Sequence, residues 1–478
     1  MMKQCGHKSD GAVPFRAAAA APLLCFCFLA GSVVAPGPAV SAEPLRLTAD
    51  RAVALAVERN ETFLMAREDA SKAAGVVKEA WAGALPNLSV EGTYQNNFQL
   101  PAFFAPEEFG GGKLEIGSDL EVEGRLRLDQ VLYAFGRVGN AIRYAEVYER
   151  IAGLGVERAR AAVVLEARSA YYGVLLAREV LSIRERSLEQ AKSQLEETRR
   201  KHDQGTASRF DLLRTEVEVK NRLPERIAAE NDLALAMQDL KRVVGLDGDP
   251  DPILTDTLFY RPFAIGEEEA VRDALARRPE ILALEKNVEG QRRVLSIRKA
   301  ERLPILGLYG QIALQGQADR WDVIEPFDEN HRAVSSAAGI AVSMPIFDGF
   351  RTKGKVMQAR ADLRRAEYEL EGARKAVRLE TTKAVKDLES LRKSWEAETA
   401  TVGLAEEAYR IAETRFRNGL STRLELADAE TALDAARTNY AKTLYDYDVA
   451  LARLEKTIGR SLEEGDGSTA GDGRAERE

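Results

Sequence analysis

Leu85-Pro86-Asn87-Leu88-Ser89-Val90-Glu91-Gly92-Thr93-Tyr94-Gln95-Asn96-Asn97-Phe98-Gln99-Leu100 decides the fold. After the Leu-Pro pair, Leu88, Val90, Gly92, Tyr94, Phe98 and Leu100 alternate with Asn87, Ser89, Glu91, Thr93, Gln95, Asn97 and Gln99, with Asn96 the polar exception on the apolar side. A period of two marks a strand with two unlike faces. The pattern returns at 119–128, where Leu120, Val122, Leu126 and Leu128 oppose Asp119, Glu121, Glu123, Arg125 and Arg127. It returns again in Leu306, Leu308, Ile312 and Leu314, and in Ala338, Ile340, Val342, Met344 and Ile346. Strands apolar on one face and charged, polar or small on the other suit a wall with lipid outside and water inside. A soluble sandwich also alternates, but these strands are few for one, and the polar face of 119–128 is unbroken charge. So few strands cannot close a barrel of useful bore alone, so a barrel implies several chains.

The surroundings of this stretch occur twice. Ala52-Val53 recurs as Ala270-Val271, Arg59-Asn60-Glu61-Thr62 as Arg277-Arg278-Pro279-Glu280, and Leu85-Pro86 as Leu303-Pro304. Further on, Leu132-Tyr133 matches Ile346-Phe347, Arg137 matches Arg351, Gly205 matches Gly419, and Gly245 matches Gly459. The offset changes once, between Pro86 and Leu132, where strands and a loop are expected. A fixed long period of this kind signals an internal twofold repeat. The expected division is a first repeat over 43–247, a linker over 248–264, and a second repeat over 265–460. A tail over 461–478, rich in Gly, Glu and Asp, is expected to be disordered.

Each copy opens with a helical stretch, 48–83 and 266–301, closed by the Leu-Pro pair, because the residue before proline avoids helical geometry. After the strands comes a long segment, 136–203 and 350–417, free of Pro and loaded with Ala, Leu, Arg and Glu. At ~1.5 Å per residue such a helix reaches ~100 Å. The return helices, Gly205 to Gly245 and Gly419 to Gly459, are shorter, and the opening helix of the opposite copy is the candidate to continue each column. Long hairpins would then pack along seams such as Leu181, Ile183, Leu188, Ala191 and Leu195, as in coiled coils. Pro224 is expected to kink one return helix or end it locally. The loops 101–116 and 318–333 carry Phe103, Phe104, Phe109, Trp321 and Phe327, which suit either a membrane boundary or the packing of the loops themselves.

The N-terminus reads as a secretory signal over 1–42. Lys3, Lys8 and Arg16 precede an apolar stretch from Ala17 to Val34 and a Val40-Ser41-Ala42 cleavage pattern. All three cysteines, Cys5, Cys25 and Cys27, fall inside it, so the mature chain is expected to carry no thiol, disulfide or Cys-based metal site. Cys25 follows the bulky Leu23-Leu24, unlike a lipid-anchor signal. The formal charge of -8 becomes more negative once these residues leave, because they hold three Lys or Arg and only Asp10 against them. A nucleic-acid partner is therefore disfavoured. No apolar run beyond the signal reaches the roughly 18 to 20 residues of a spanning helix.

At the two hairpin tips the chain reads Lys201-His202-Asp203-Gln204-Gly205-Thr206-Ala207-Ser208-Arg209-Phe210-Asp211-Leu212 and Arg415-Phe416-Arg417-Asn418-Gly419-Leu420-Ser421-Thr422-Arg423-Leu424-Glu425-Leu426. Glycine permits the positive φ of a tight turn, and Ser208 or Thr422 can cap the following helix. Alone, these are helix-turn-helix signals. Together with the duplicated plan they resemble the TolC family of outer-membrane efflux proteins across nearly all of 45–460. The resemblance implies an α+β membrane protein: long coiled-coil hairpins forming a helical barrel, with four strands per protomer joining in a trimeric twelve-stranded β-barrel. It implies a homotrimer in outer-membrane lipid, contact with a periplasmic adaptor (membrane fusion) protein, and an inner-membrane pump engaged indirectly. By the same resemblance Gly205, Thr206, Ser208, Gly419, Leu420 and Thr422 are adaptor-docking positions. Glu425 and Asp428 are matched to acidic rings that narrow the tunnel, and Asp211 to an acidic position that holds the closed state. The usual basic partner of Asp211 falls at Ser421, leaving Arg423 or Arg417 as substitutes.

Glu425 and Asp428 are three apart and share one helical face. Three copies would place two rings of carboxylates in the bore, which would attract cations. No enzyme is expected: His202 and His331 lie outside ligand-like spacings, and no glycine-rich phosphate loop follows a strand. No catalytic residue, cofactor or metal is assigned. A soluble periplasmic coiled-coil scaffold is the rival reading. A drug-efflux duct and a type I secretion duct share one architecture, and no His-rich or Met-rich segment points to metal efflux.

Overall fold

The computed structural model describes residues 45–105, 111–115, 117–246, 251–318 and 332–460. The signal, the tail, Phe109, Trp321, Phe327 and His331 lie outside the described residues.

One succession of helices occurs twice, with lengths of 11, 22, 67 and 36 residues each time. In the first half these are α1 (Ala49–Arg59), α2 (Glu61–Ala82), α3 (Arg137–Asp203) and α4 (Arg209–Val244). In the second they are α5 (Glu267–Arg277), α6 (Pro279–Ala300), α7 (Arg351–Arg417) and α8 (Arg423–Ile458). Strand β1 (Arg46–Leu47) precedes α1, and β2 (Asn87–Asn96), β3 (Ala102–Ala105), β4 (Gly112–Glu115) and β5 (Leu120–Tyr133) follow α2. Strand β6 (Ile253–Leu254) lies before α5, and β7 (Ile305–Ala318) and β8 (Arg332–Ser343) follow α6.

The opening helical stretches are each two helices. Asn60 ends α1 in an extended conformation, ψ 127, and its side chain accepts from the Thr62 amide at 3.0 Å to start α2. Arg278 ends α5 in the same extended conformation, ψ 122, without a side-chain cap, because Pro279 forbids it helical geometry. At the far end of the sheet the chain turns into α3 through Phe135 and Gly136, φ 48 and 79, and into α7 through Gly349 and Phe350, both φ 64. Each corner thus needs two left-handed residues, and supplies one glycine and one phenylalanine in opposite orders. Helix α4 runs through Pro224 without ending there.

The main sheet is antiparallel, in the order β2-β5-β7-β8. Its register separates the two faces row by row. Val90, Leu126, Ile312 and Ser336 stand abreast on one side, while Glu91, Arg125, Ala313 and Ser335 stand abreast on the other. The expected fourth strand is shorter than its alternation, for Met344 and Ile346 lie beyond its end. The apolar face is open, with Val90 79% and Val342 68% exposed. Strands β3 and β4 form a separate hairpin within the first loop, and Phe104 on it is exposed.

Among the described residues a small apolar cluster of Ala274, Ile281 and Val377 joins α5, α6 and α7, and two larger ones organise the long hairpins. One joins α1, α3 and α4 through Leu55, Val163, Val174, Leu240 and Val243, and the parallel pair β1–β6 closes over it. The Tyr171 hydroxyl donates to the Leu47 carbonyl, 2.9 Å, within this cluster. The other joins α7 and α8 through Val385, Leu388, Tyr447, Leu454 and Ile458, with Ala270 of α5. Of the expected seam, Ile183, Leu188 and Ala191 are buried, while Leu181 and Leu195 are half-buried.

The columns are continued differently from the expectation. Gly245, ending α4, lies against Arg59, and the Asn60 side chain donates to the Val243 carbonyl at 3.3 Å. Gly459, ending α8, lies against the Arg277 backbone, and Arg460 pairs with Glu269 and Asp273 of α5. Each return helix therefore meets the opening helices of its own half, not of the opposite one. The reason is local: a glycine C-cap lets the chain end against a helix break that a Cβ would fill.

Candidate functional site

The tips at 201–212 and 415–426 are built alike. Gly205 and Gly419 take φ 75 and 72, and Lys201 and Arg415 carbonyls accept from Thr206 and Leu420 amides, 2.8 Å each. Ser208 and Thr422 then cap α4 and α8 from extended conformations. All six expected docking positions, Gly205, Thr206, Ser208, Gly419, Leu420 and Thr422, are exposed, Leu420 by 69%. The tips touch: the Lys201 ammonium lies 5.5 Å from the Phe416 ring centre. His202 sits in the first tip with Nδ1 3.0 Å from the Ala207 carbonyl.

Asp211 completes a reciprocal cap. Its Oδ2 accepts from the Ser208 amide at 3.1 Å and hydroxyl at 2.6 Å, while Ser208 Oγ accepts from the Asp211 amide. These hydrogen bonds from Ser208 hold the Asp211 carboxyl below the usual range. Neither substitute partner reaches it within the chain. Arg423 pairs with Glu218 of α4 at 2.8 Å, and Arg417 with Glu413 one turn back at 2.8 Å. The Ser421 hydroxyl is buried without a hydrogen-bond partner.

Glu425 and Asp428 are both exposed on α8. Thr422 Oγ1 accepts from the Glu425 amide at 3.3 Å, so Glu425 also belongs to the cap. Above them lies a charged cluster that the sequence reading did not single out. Gln194 of α3 donates to Glu430, Arg423 lies 3.9 Å from Glu430, and Arg222 lies 3.6 Å from Asp434. Burial pushes the Glu430 carboxyl up, against the pull of Arg423. Phe210, 70% exposed, and Leu424 add apolar surface at the tips. Their signal was available, since both stand in the first turn after a cap where nothing apolar is required.

Among the described residues, no group of His, Cys, Asp and Glu is placed to hold a metal ion, and no helix is long and apolar enough to cross a membrane.

The alkaline protease secretion protein AprF of Pseudomonas aeruginosa is 27% identical over 291 residues, which cover 60% of this chain and 59% of that protein. The chain thus spans about three-fifths of that relative's length. The outer membrane efflux protein BepC of Brucella suis is 25% identical over 335 residues, 70% of this chain and 71% of that one. The crystal structure of the Campylobacter jejuni CmeC outer membrane channel superimposes with a TM-score of 0.72 at 17% identity, covering 86% of this chain and 85% of that one. This likeness shows a shared fold. The family described as outer membrane efflux protein matches residues 52–246 and 270–460, and the chain belongs to it.

Proposed function

We propose that the chain is one protomer of a passive exit duct, serving a tripartite efflux pump or a type I secretion system. The protein resides in the outer membrane and extends into the periplasm. The observation that carries the duct is a shared order of packing at three levels. The sheet runs β2-β5-β7-β8, one helical layer runs α2-α3-α6-α7, and the other runs α4-α3-α8-α7. Each level has four elements and the same two open edges: α2, β2 and α4 on one side, α7 and β8 on the other. A head-to-tail contact that joins those edges closes all three levels at once. Three copies give the twelve-stranded barrel, with its apolar face to lipid and the Glu91-Arg125 face to water.

In this arrangement the two repeats, 43–247 and 265–460, contribute equal halves of each protomer's wall. Exposed Tyr133, Phe347 and Phe350 at the strand-to-helix corners suit the inner boundary of the bilayer. The tips dock a periplasmic adaptor through Gly205, Thr206, Ser208, Gly419, Leu420 and Thr422, and Glu425 with Asp428 lines the constriction. Energy enters at the inner-membrane partner, and tip opening widens the tunnel. A soluble scaffold is disfavoured because nothing among the described residues covers the apolar face of the sheet.

Separation of inner and outer membranes, followed by native mass in mild detergent, tests this. A trimer in the outer-membrane fraction is expected, and Leu420→Asp should abolish capture of a purified adaptor while leaving the trimer intact. A monomer in the soluble periplasm would overturn the duct.

A further inference from the structure

Among the described residues the buried carboxylates are Glu430, Asp434, Asp448 and Glu455, and every one lies on α8. Asp434, Asp448 and Glu455 stand at heptad spacing, with Glu430 one turn earlier, so they share one face of the helix. That face meets α3 and the side chains that reach across from α4. Arg168 of α3 pairs with Glu455, Gln194 of α3 donates to Glu430, and Arg222 of α4 lies 3.6 Å from Asp434. The adjoining face of α8 is apolar and packs on α7 through Tyr447, Leu454 and Ile458. The apolar cluster of α3 and α4 is a different one, shared with α1. Each hairpin thus has its own main core; across the boundary Tyr445 of α8 reaches the α3–α4 cluster, and the buried carboxylates beside it make ionic and polar contacts.

An apolar boundary resists separation because opening returns its surface to water. An ionic one recovers hydration when it opens, and here part of that hydration is unreplaced in the packed state. Gln194 Oε1, Asp434 Oδ2, and Arg423 Nε and Nη1 are buried without a hydrogen-bond partner. Asp448 faces a cavity of about 600 Å³ between α1, α3, α8 and the connection before α5.

We propose that the boundary between the α3–α4 and α7–α8 hairpins is a proton-sensitive joint, packed more tightly in acid and released as pH rises, with Asp448 and Glu430 as the groups that change charge. Asp448 is faced by Arg168 and Tyr172 of α3, Arg261 and Asp256 of the connection, Asp50 of α1 and Glu455 of its own helix. Glu430 is faced by Gln194 of α3, Glu218 and Arg222 of α4, Tyr409 of α7 and Arg423. Burial pushes the Asp448 carboxyl up to about 7, against the pull of Arg261 and Arg168. Burial raises Glu430 as well. A carboxyl that binds its proton more readily when packed than when hydrated favours the packed state as pH falls through the packed value. The arginines keep their charge throughout.

The joint belongs to the chain itself; its effect on a tunnel rests on the proposed duct. All three cysteines precede residue 28, so reporters introduced at Gln204→Cys and Asn418→Cys on the two tips stand alone in the mature protein. Spin-label distances are read in the purified assembly diluted with unlabelled chains, with His202→Gln in every chain to remove the tip imidazole. Between about pH 8 and about pH 5.5 the ratio of short to long tip distances should rise about tenfold. Asp448→Asn with Glu430→Gln should hold the short distance at both values. An unchanged distribution in the otherwise unaltered labelled chain would overturn the joint, whatever the variant does. So would a double variant that follows pH as that chain does. A chain that proves monomeric and non-conducting would sink the duct, yet its tip distance would still report on the joint.

Discussion

Four glycines form a matched set for testing how the return helices dock. Gly205, Gly245, Gly419 and Gly459 have φ of 75, 71, 72 and 73, so alanine at any of them meets the same left-handed backbone. That cost is about 1–2 kcal/mol. Their surroundings differ. A Cβ at Gly205 or Gly419 meets nothing within 4 Å, whereas at Gly459 it lies 3.1 Å from the Arg277 carbonyl carbon and oxygen. At Gly245 it lies 2.8 Å from Arg59 Cβ. Neither neighbour is the far end of a flexible side chain, so the packed junction must shift, at about 1–3 kcal/mol more. Gly459→Ala is therefore expected to lose about 2–5 kcal/mol and Gly419→Ala only about 1–2 kcal/mol. Guanidinium unfolding of the detergent-solubilised protein, followed by circular dichroism, ranks the four variants. Unfolding rates serve where refolding fails. Equal losses at Gly459 and Gly419 would refute the docking of α8 on the α5–α6 break.

Glu425→Gln with Asp428→Asn should reduce cation preference in planar bilayers, most at low salt where wall charges are least screened; an unchanged reversal potential would remove the pair from the constriction. Ser208→Ala should cost about 1 kcal/mol of helix capping, read as faster amide exchange in the first turn of α4. Because Asp211 titrates below its ordinary value when capped, its contribution is present above the ordinary carboxylate range and lost as pH falls through the lowered value, so that acid limb should flatten in the variant. Arg423→Met leaves Glu218 and Glu430 facing one another without that cation and should cost about 3–5 kcal/mol; adding Glu218→Leu should restore part of it in the same denaturation assay.

The strands were legible because a sheet with unlike faces writes its alternation directly into the chain, and the Val90-Leu126-Ile312 row falls where that alternation places it. The long helices were legible from composition and from the glycines that end them. The breaks at Asn60 and Arg278 were not read, although Pro279 announced the second. An asparagine inside a helical pattern looks like a weak helix former until its side chain is seen capping Thr62. The choice of column also escaped. Helix length says how far a return helix reaches, but only the contact of Gly245 with Arg59 says which break it meets.

The acidic residues of α8 show where pattern reading stops. Glu425, Asp428, Glu430 and Asp434 follow one another within three turns, and hydropathy treats them alike. The fold does not: the first two are exposed at the tip, and the last two are buried on the face toward α3 and α4. What separates them is the rotation of α8, set by Tyr447, Leu454 and Ile458 against α7, about four to nine turns away. Once that apolar face is fixed, Glu430, Asp434, Asp448 and Glu455 have nowhere to point but the partner hairpin, and Arg423, Arg222, Gln194 and Arg168 are the groups that make their burial tolerable. A residue pair that resembles a gate and a residue pair that joins two hairpins are thus written in the same letters on the same helix. Their surroundings diverge because of how the apolar side of the helix is packed.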